Sequence, residues 1–339
     1  MAKLSLSVII PLYNAKSWIT PTVDHIIHAL QQTYFDAEII IIDDGSTDGG
    51  GDTARLIKPP ANISIMVVSQ SNTGRYLARK HGVDLSSKNN ILFIDSRVYI
   101  HERSLSFLEA QLLQDANQIW NGHVNIDKKG NVFARFWDAV ACVAWARYFR
   151  RPRTTSFGLQ DFDYYPKGTG FFYVPKARLM AAMAHFEKST SDMRYSSDDT
   201  LLIRYLAEQQ NIHLSPQFSC LYHGRSTLTT FLKHAYSRGQ FFVDGFLRPG
   251  TRYFYPLLAV LAASLIAPVV VFFYFMPALV VLGVLALLFP MGLLIGALLF
   301  GVVVWDALAL AALGIPFAVV YLLGLWRGLA RKIAKSANG

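Results

Sequence analysis

Residues 38–48 read EIIIIDDGSTD: four isoleucines in a row, then two aspartates, a glycine and a second polar cluster. A β-branched run without polar alternation has no face for water, so as a strand it is covered on both sides, as in a parallel sheet. Gly45 marks a sharp turn, and Asp43 and Asp44 stand at the strand's carboxyl end. Working outward, residues 6–11 (LSVIIP), 63–68 and 90–95 (NILFID) are apolar runs of the same kind, the last again closing on a carboxylate. Residues 18–31, with Trp18, Val23, Ile26, Ile27 and Leu30 on one broad face, are a predicted helix, as are residues 73–85. Strands alternating with helices predict an α/β fold with a mainly parallel sheet and right-handed crossovers. Ligands of such sheets bind beyond the carboxyl ends of the strands, where Asp43, Asp44 and Asp95 lie.

The rest of the chain has a different chemistry. Of its 339 residues 53% are hydrophobic and 16% charged, below the roughly 25% charge of soluble domains. Within 254–326 the only Asp, Glu, Lys or Arg is Asp306. That stretch holds three spans of roughly 20 residues, or four short ones, with breaks expected near Met276-Pro277, Phe289-Pro290 and Asp306. Arg248 and Arg252 precede it, and Arg327, Arg331, Lys332 and Lys335 follow. Basic flanks on both sides predict that both ends are cytosolic, which needs an even number of crossings, whereas length favours three; a re-entrant hairpin at Pro290 would reconcile the two. The expected division is a catalytic-type domain over 1–245, an α-helical transmembrane domain over 246–330 and a basic tail over 331–339.

The net charge of +9 fits anionic lipid better than nucleic acid, because no nucleic-acid-binding signature accompanies it. Residues 131–149 form a predicted helix with Trp137 and Trp145 before the basic RYFRRPR, either at a lipid interface or in the core beside a solvated basic loop. Cys142 and Cys220 lack metal spacing and read as free thiols. The N-terminal apolar run, broken by Pro11 and Asn14, reads as a first strand and not as a signal peptide, which places the polar part in the cytosol.

The order of motifs is more specific than any one of them. Pro11-Leu12-Tyr13-Asn14, EIIIIDDGSTD, Asn72-Thr73-Gly74 with Ala78-Arg79-Lys80-x-Gly82, ILFIDS, Gly168-Thr169-Gly170, Ser197-Asp198-Asp199-Thr200 before LLIRYL, and Leu221-Tyr222-His223 follow one another. Over residues 4–245 this series resembles family 2 glycosyltransferases of the GT-A (Rossmann-like) fold. The resemblance implies an inverting enzyme that binds a nucleotide diphosphate-sugar, with a UDP-sugar as the expected donor, and a lipid-linked acceptor at the cytosolic face of the inner (plasma) membrane. The products would serve surface polysaccharide, glycolipid or lipid-linked glycan synthesis. A polyprenyl-phosphate sugar synthase and a catalytically degenerate membrane scaffold are the alternatives.

Carried over by position, Pro11 and Asn14 shape the first loop near the nucleotide, Asp44 reads the uracil edge and Asp43 buttresses it. Arg79 and Arg75 lie near the base or diphosphate. Asp95 opens the family's Asp-x-Asp signature, and Asp198 and Asp199 form the acceptor-side pair, with Asp199 favoured as the base that deprotonates the acceptor hydroxyl. Read alone, that pair is also an ordinary helix cap on Ser197. A Mg2+ or Mn2+ ion would take Asp95 and His223, but the second carboxylate of the signature is replaced by Arg97. A fixed guanidinium there can itself neutralise a leaving diphosphate, which makes metal independence an expectation. Lys233, His234 and Arg238 face donor phosphates, lipid headgroups or solvent. No Gln-x-x-Arg-Trp signature of processive synthases occurs, so one sugar per encounter is expected.

Overall fold

The computed structural model describes residues 4–189 and 198–337. Two compact units emerge: Met1–Asp127 with Arg151–His223, and Lys128–Arg150 with Gly224–Gly339. This division differs from the sequence boundary at 245, because 128–150 and 224–245 pack on the apolar helices.

The first unit runs β1 (Ser5–Leu12), α1 (Lys16–Leu30), β2 (Asp36–Asp44), α2 (Gly50–Arg55), β3 (Ser64–Gln70), α3 (Arg75–Leu85), β4 (Asn90–Ile94), β5 (Val98–Ile100), α4 (Ser104–Leu112) and β6 (Ile119–Ile126). After the second unit's α5 (Val132–Ala144) and α6 (Ala146–Phe149) come β7 (Thr155–Phe157), a 3-10 turn at Phe162–Tyr164, β8 (Phe171–Pro175), α7 (Lys176–Ser189), α8 (Asp198–Gln209) and β9 (Ile212–Tyr222). One mixed sheet has the order β3-β2-β1-β4-β8-β6-β9-β5, with β7 on β9. The pairs β1–β2, β2–β3 and β1–β4 are parallel, as the isoleucine-rich runs predict, and β8 continues the sheet antiparallel to β4. Ile39, Ile40, Ile41 and Ile42 are at most 1% exposed. The chain steps from β1 outward to β3, then returns to the other side of β1 as β4. That reversal opens a crevice at the carboxyl ends of β1 and β4. Pro11 is tolerated in β1 because the β4 pairing ends at Ile9↔Phe93, so no ladder on that side needs its N–H.

The second unit holds α5, α6, α9 (Leu228–Phe246), α10 (Phe254–Phe273), α11 (Phe275–Leu299) and α12 (Val304–Ala337). Three helices are long and apolar enough to cross a membrane: Phe254–Phe273, Phe275–Leu299 and Val304–Ala334. The breaks fall at Tyr274 and at residues 300–303; α11 runs through Pro290, so the expected break and re-entrant hairpin there do not form. The α9–α12 crossing is backbone on backbone. A Cβ on Gly239 would collide with the Tyr321 carbonyl, and one on Gly324 with the Tyr236 carbonyl, so only glycine allows this approach.

Asp306, the lone acid of the apolar region, is 1% exposed in the first turn of α12. Its carboxylate accepts from Lys128 Nζ at 2.7 Å and Arg135 at 3.0 Å, and Lys128 also reaches Asp138 at 2.8 Å. Arg150 donates to the Leu299 and Phe300 carbonyls, satisfying the end of α11, and its guanidinium lies over the Phe300 ring. Replacing the buried carboxylate by an amide removes the counter-charge from Arg135 and one of the two from Lys128, which costs about 1–3 kcal/mol when the cations are partly solvated. Asp306→Asn is therefore expected to lower the thermal midpoint of detergent-solubilised protein by about 5 °C, read by intrinsic fluorescence.

Candidate active site

The two aspartates that end β2 divide their work. Asp43 accepts from the Ser46 N–H at 3.0 Å and from Ser69 Oγ at 3.1 Å, so it braces its own turn. Asp44, 4% exposed, accepts from Gln70 Nε2, the Thr73 N–H, Thr73 Oγ1 and the Gly74 N–H at 2.8–3.2 Å. Three of these bonds fall on Oδ1 and one, from the Gly74 N–H, on Oδ2, so Oδ2 keeps acceptor capacity. Asp44 thus secures the amino end of α3, where the helix dipole favours a negative charge. Gly45, at φ 73°, takes the left-handed turn that brings this loop against Asn72, where a Cβ would lie 2.9 Å from the Asn72 nitrogen. Asn14, at φ 47°, accepts from the Thr47 N–H at 2.8 Å, and its own N–H donates to Ser46 Oγ at 3.1 Å. The loops after β1 and β2 are thereby stitched together, with Pro11 at the root of the first.

The α3 helix that Asp44 secures carries Arg75 and Arg79 one turn apart. Arg79 is 2% exposed and lies over the Phe93 ring at 5.7 Å. Its guanidinium binds Asp95 at 2.7 Å and Asp199 at 3.1 Å, joining two carboxylates that like charge would drive apart. It is therefore a buried clamp between two carboxylates. Arg75, half exposed, reaches the other Asp199 oxygen at 3.3 Å, and Thr169 Oγ1 also donates to Asp199. Asp199 remains 28% exposed. The Asp198 side chain and Ser197 lie outside the described residues, so the pair is represented by Asp199 alone.

Arg97 lies 5.6 Å over the Trp18 ring, and its carbonyl accepts the His223 N–H at 3.0 Å. His223 stacks on Trp18 at 4.9 Å and tilts against Tyr99 at 4.2 Å. Its Nδ1 faces Asp127 at 3.0 Å, and its buried Nε2 has no hydrogen-bond partner among the described residues. A carboxylate behind one imidazole nitrogen suits the other to a ligand. The remaining donors do not complete a protein-held divalent site. Asp95 is spent on Arg79, a guanidinium replaces its partner carboxylate, and no three His, Cys, Asp or Glu side chains gather among the described residues.

Residues 7–174 match the model of glycosyl transferase family 2. Over those residues the sequence is that of a family 2 glycosyltransferase. Relatives include glycosyltransferase GlyG of Streptococcus pneumoniae serotype 4, 29% identical over 129 residues, which are 38% of this chain and 42% of that protein. An uncharacterized glycosyltransferase, YibD of Escherichia coli K12, is 32% identical over 110 residues, 32% of this chain and 31% of YibD. The chain therefore matches less than half the length of these relatives. The mannosyltransferase PcManGT from Pyrobaculum calidifontis, in complex with GDP-Man and Mn2+, has a TM-score of 0.58 at 15% identity, over 95% of this chain and 88% of that one. At that identity the likeness shows the fold alone. Both cysteines are free.

Several residues of this family 2 site escaped sequence reasoning: Gln70, Thr73, Thr169, Asp127 and Trp18. Thr73 and Thr169 had a local signal in their neighbouring glycines, and a Cβ on Gly170 would stand 3.0 Å from the Asp95 carboxylate. On the same approach to β8, Lys167 donates to the Phe162 carbonyl and to that of Tyr165 at 2.9 Å, with its ammonium over the Phe162 ring. Burial pushes Lys167 down to about 7 from 10.5, with Asp163 pulling partly back. The folded value lies below the unfolded one, so between them the unfolded chain binds more protons and stability rises with pH. From pH 7 to 9, Lys167 should add up to about 2 kcal/mol of stability, lost again as pH falls toward 7. Melting temperatures of wild type and Lys167→Met across that window check this: only the wild type should show this rise.

Proposed function

We propose that this chain transfers a single sugar, with inversion, from a nucleoside diphosphate-sugar, in the first instance UDP-linked, to a lipid-linked hydroxyl acceptor at the cytosolic face of the cell membrane. The observation that carries the reading is the Arg79 bridge. It holds Asp95 of the family's donor signature and Asp199 of its acceptor-side pair on one guanidinium, at the sheet edge where α/β ligands bind. Family membership and the apolar helices supply the setting. In the proposed step the acceptor oxygen forms a bond to the anomeric carbon as the carbon–oxygen bond to the diphosphate breaks. The electron pair leaves with the diphosphate, and the hydroxyl proton passes to Asp199. Arg75, Arg79 and Thr169 orient Asp199, while Arg97 meets the charge that develops on the leaving group. No step is assigned to a divalent ion, for want of a fitting donor set.

Two measurements on the detergent-solubilised full chain test the reading, with a panel of nucleotide-sugars scored by nucleotide release. Asp199→Asn should slow transfer by about 100-fold or more while donor binding, followed by thermal shift, is kept. Wild-type turnover in that variant would remove Asp199 from the chemistry, and absence of any nucleotide-sugar binding would favour a scaffold. Arg97→Ala should lose about 100-fold in turnover, and EDTA should leave the wild type unchanged. A strict Mg2+ or Mn2+ requirement would overturn the part given to Arg97.

A further inference from the structure

We infer that α12 does not cross the membrane: it lies in the plane of one leaflet, and α10 with α11 forms a two-span hairpin that leaves and returns to the same face. The inference stands on the second unit alone and is independent of the transfer chemistry.

A continuous track of contacts with α5, α9 and the segments flanking them follows α12 from end to end, while α11 packs beside its first half through Leu293 at Gly314. At its start, Asp306 is held by Lys128 and by Arg135 of α5. Midway, Phe317 packs on Phe136 at 4.9 Å and on Trp137 at 5.5 Å. Further on, Gly324 meets Gly239 of α9 backbone to backbone. Near its end Arg331 donates to Gln240 at 2.8 Å, and Lys332 Nζ to the Leu247 carbonyl at 2.8 Å. From Asp306 to Lys332 the helix rises about 39 Å, more than the roughly 30 Å hydrocarbon core. If α12 crossed, α5 and α9 would line the crossing from one side to the other. That would carry Arg135 and Asp138 of α5, and Lys233, His234 and Arg238 of α9, into or across the hydrocarbon. Charges at that depth are strongly disfavoured, and Lys233 and Arg238 are exposed.

The face of α12 turned away from α5 and α9 fits a leaflet. Trp305, Leu308, Ala312, Ile315, Val319 and Leu323 are all exposed and recur every three or four residues. Such a stripe, opposite a polar-anchored face, is that of an interfacial helix, and acyl chains are its partner. The hairpin has the opposite pattern, apolar all round and exposed over most of its length. Its α10 limb starts just after α9, and its α11 limb ends where Arg150 caps the Leu299 and Phe300 carbonyls. Between the limbs lie Phe272, Phe273, Tyr274 and Phe275, each at least 59% exposed, an aromatic cluster suited to the far interface. Two crossings also satisfy the basic flanks at both ends of the apolar region.

Topology reporters in the full chain, expressed in a bacterial inner membrane, test this directly. Reporters placed after residue 226, after residue 302 and after residue 339 should all read the same side, and one inserted after Tyr274 the opposite side. A reporter after 339 that reads opposite to the one after 302 overturns the inference. A nitroxide on Val319→Cys gives a second reading: a depth of about 5–10 Å below the headgroups supports the in-plane helix. A depth of about 15 Å, at the bilayer midplane, overturns it.

Discussion

The buried guanidinium of Arg79 is the constraint on which the rest of the catalytic region depends. Asp95 follows β4, Asp199 lies in the first turn of α8, and without a cation between them two carboxylates would repel across a partly buried site. Arg79 brings them together because α3 presents it from within the crevice, over the Phe93 ring. The helix holds its place because Asp44 accepts from Gln70, Thr73 and Gly74, just ahead of α3. Asp43 holds the turn beneath. One chain of cause thus leads from the carboxylates of β2, through a helix terminus, to the side chains placed nearest the proposed chemistry.

The same logic of a charge placed where only one partner set can satisfy it recurs in the second unit. Asp306 is the one acid in a long apolar stretch, and its burial is tolerable because Lys128 and Arg135 meet it. The two glycines of the α9–α12 crossing remove the side chains that would hold the helices apart. Together these features turn a helix whose composition suits a membrane span into one bound along its length to charged neighbours. Composition measures what a helix is made of; its orientation follows from what it is tied to.

Much of the catalytic fold is legible in residues 38–48 and their counterparts. Unbroken β-branched runs leave no water-facing side, so strand identity and parallel pairing follow from local chemistry. The carboxylates at the strand ends are legible for the same reason. The bond of Asp43 to the Ser46 N–H is short-range turn geometry, whereas the bonds of Asn14 to Ser46 and Thr47 join segments 32 and 33 residues apart. Asp44 and Arg79 were assigned by motif to ligand contacts, and both also make internal bonds here. Their partners, Thr73 and Gly74 for one and Asp199 for the other, come from separate segments. The dyad of Asp127 and His223 has no sequence signature, since its two halves meet only through the pairing of β6 with β9.

By itself the sequence determined the alternation of strands and helices, the order of the motifs and the chargeless tail, because each depends on neighbours within a few turns of chain. Tertiary structure alone decided which carboxylates Arg79 joins, across 120 residues to Asp199, and which cations meet Asp306, across 171 residues to Arg135. It also decided that 128–150 packs with the apolar helices and that α11 runs straight through Pro290. The physical reason is common to all of these. A hydrophobic period is written along the chain, whereas an ion pair is specified by the distance at which folding leaves two groups, and the residues between them carry no record of it.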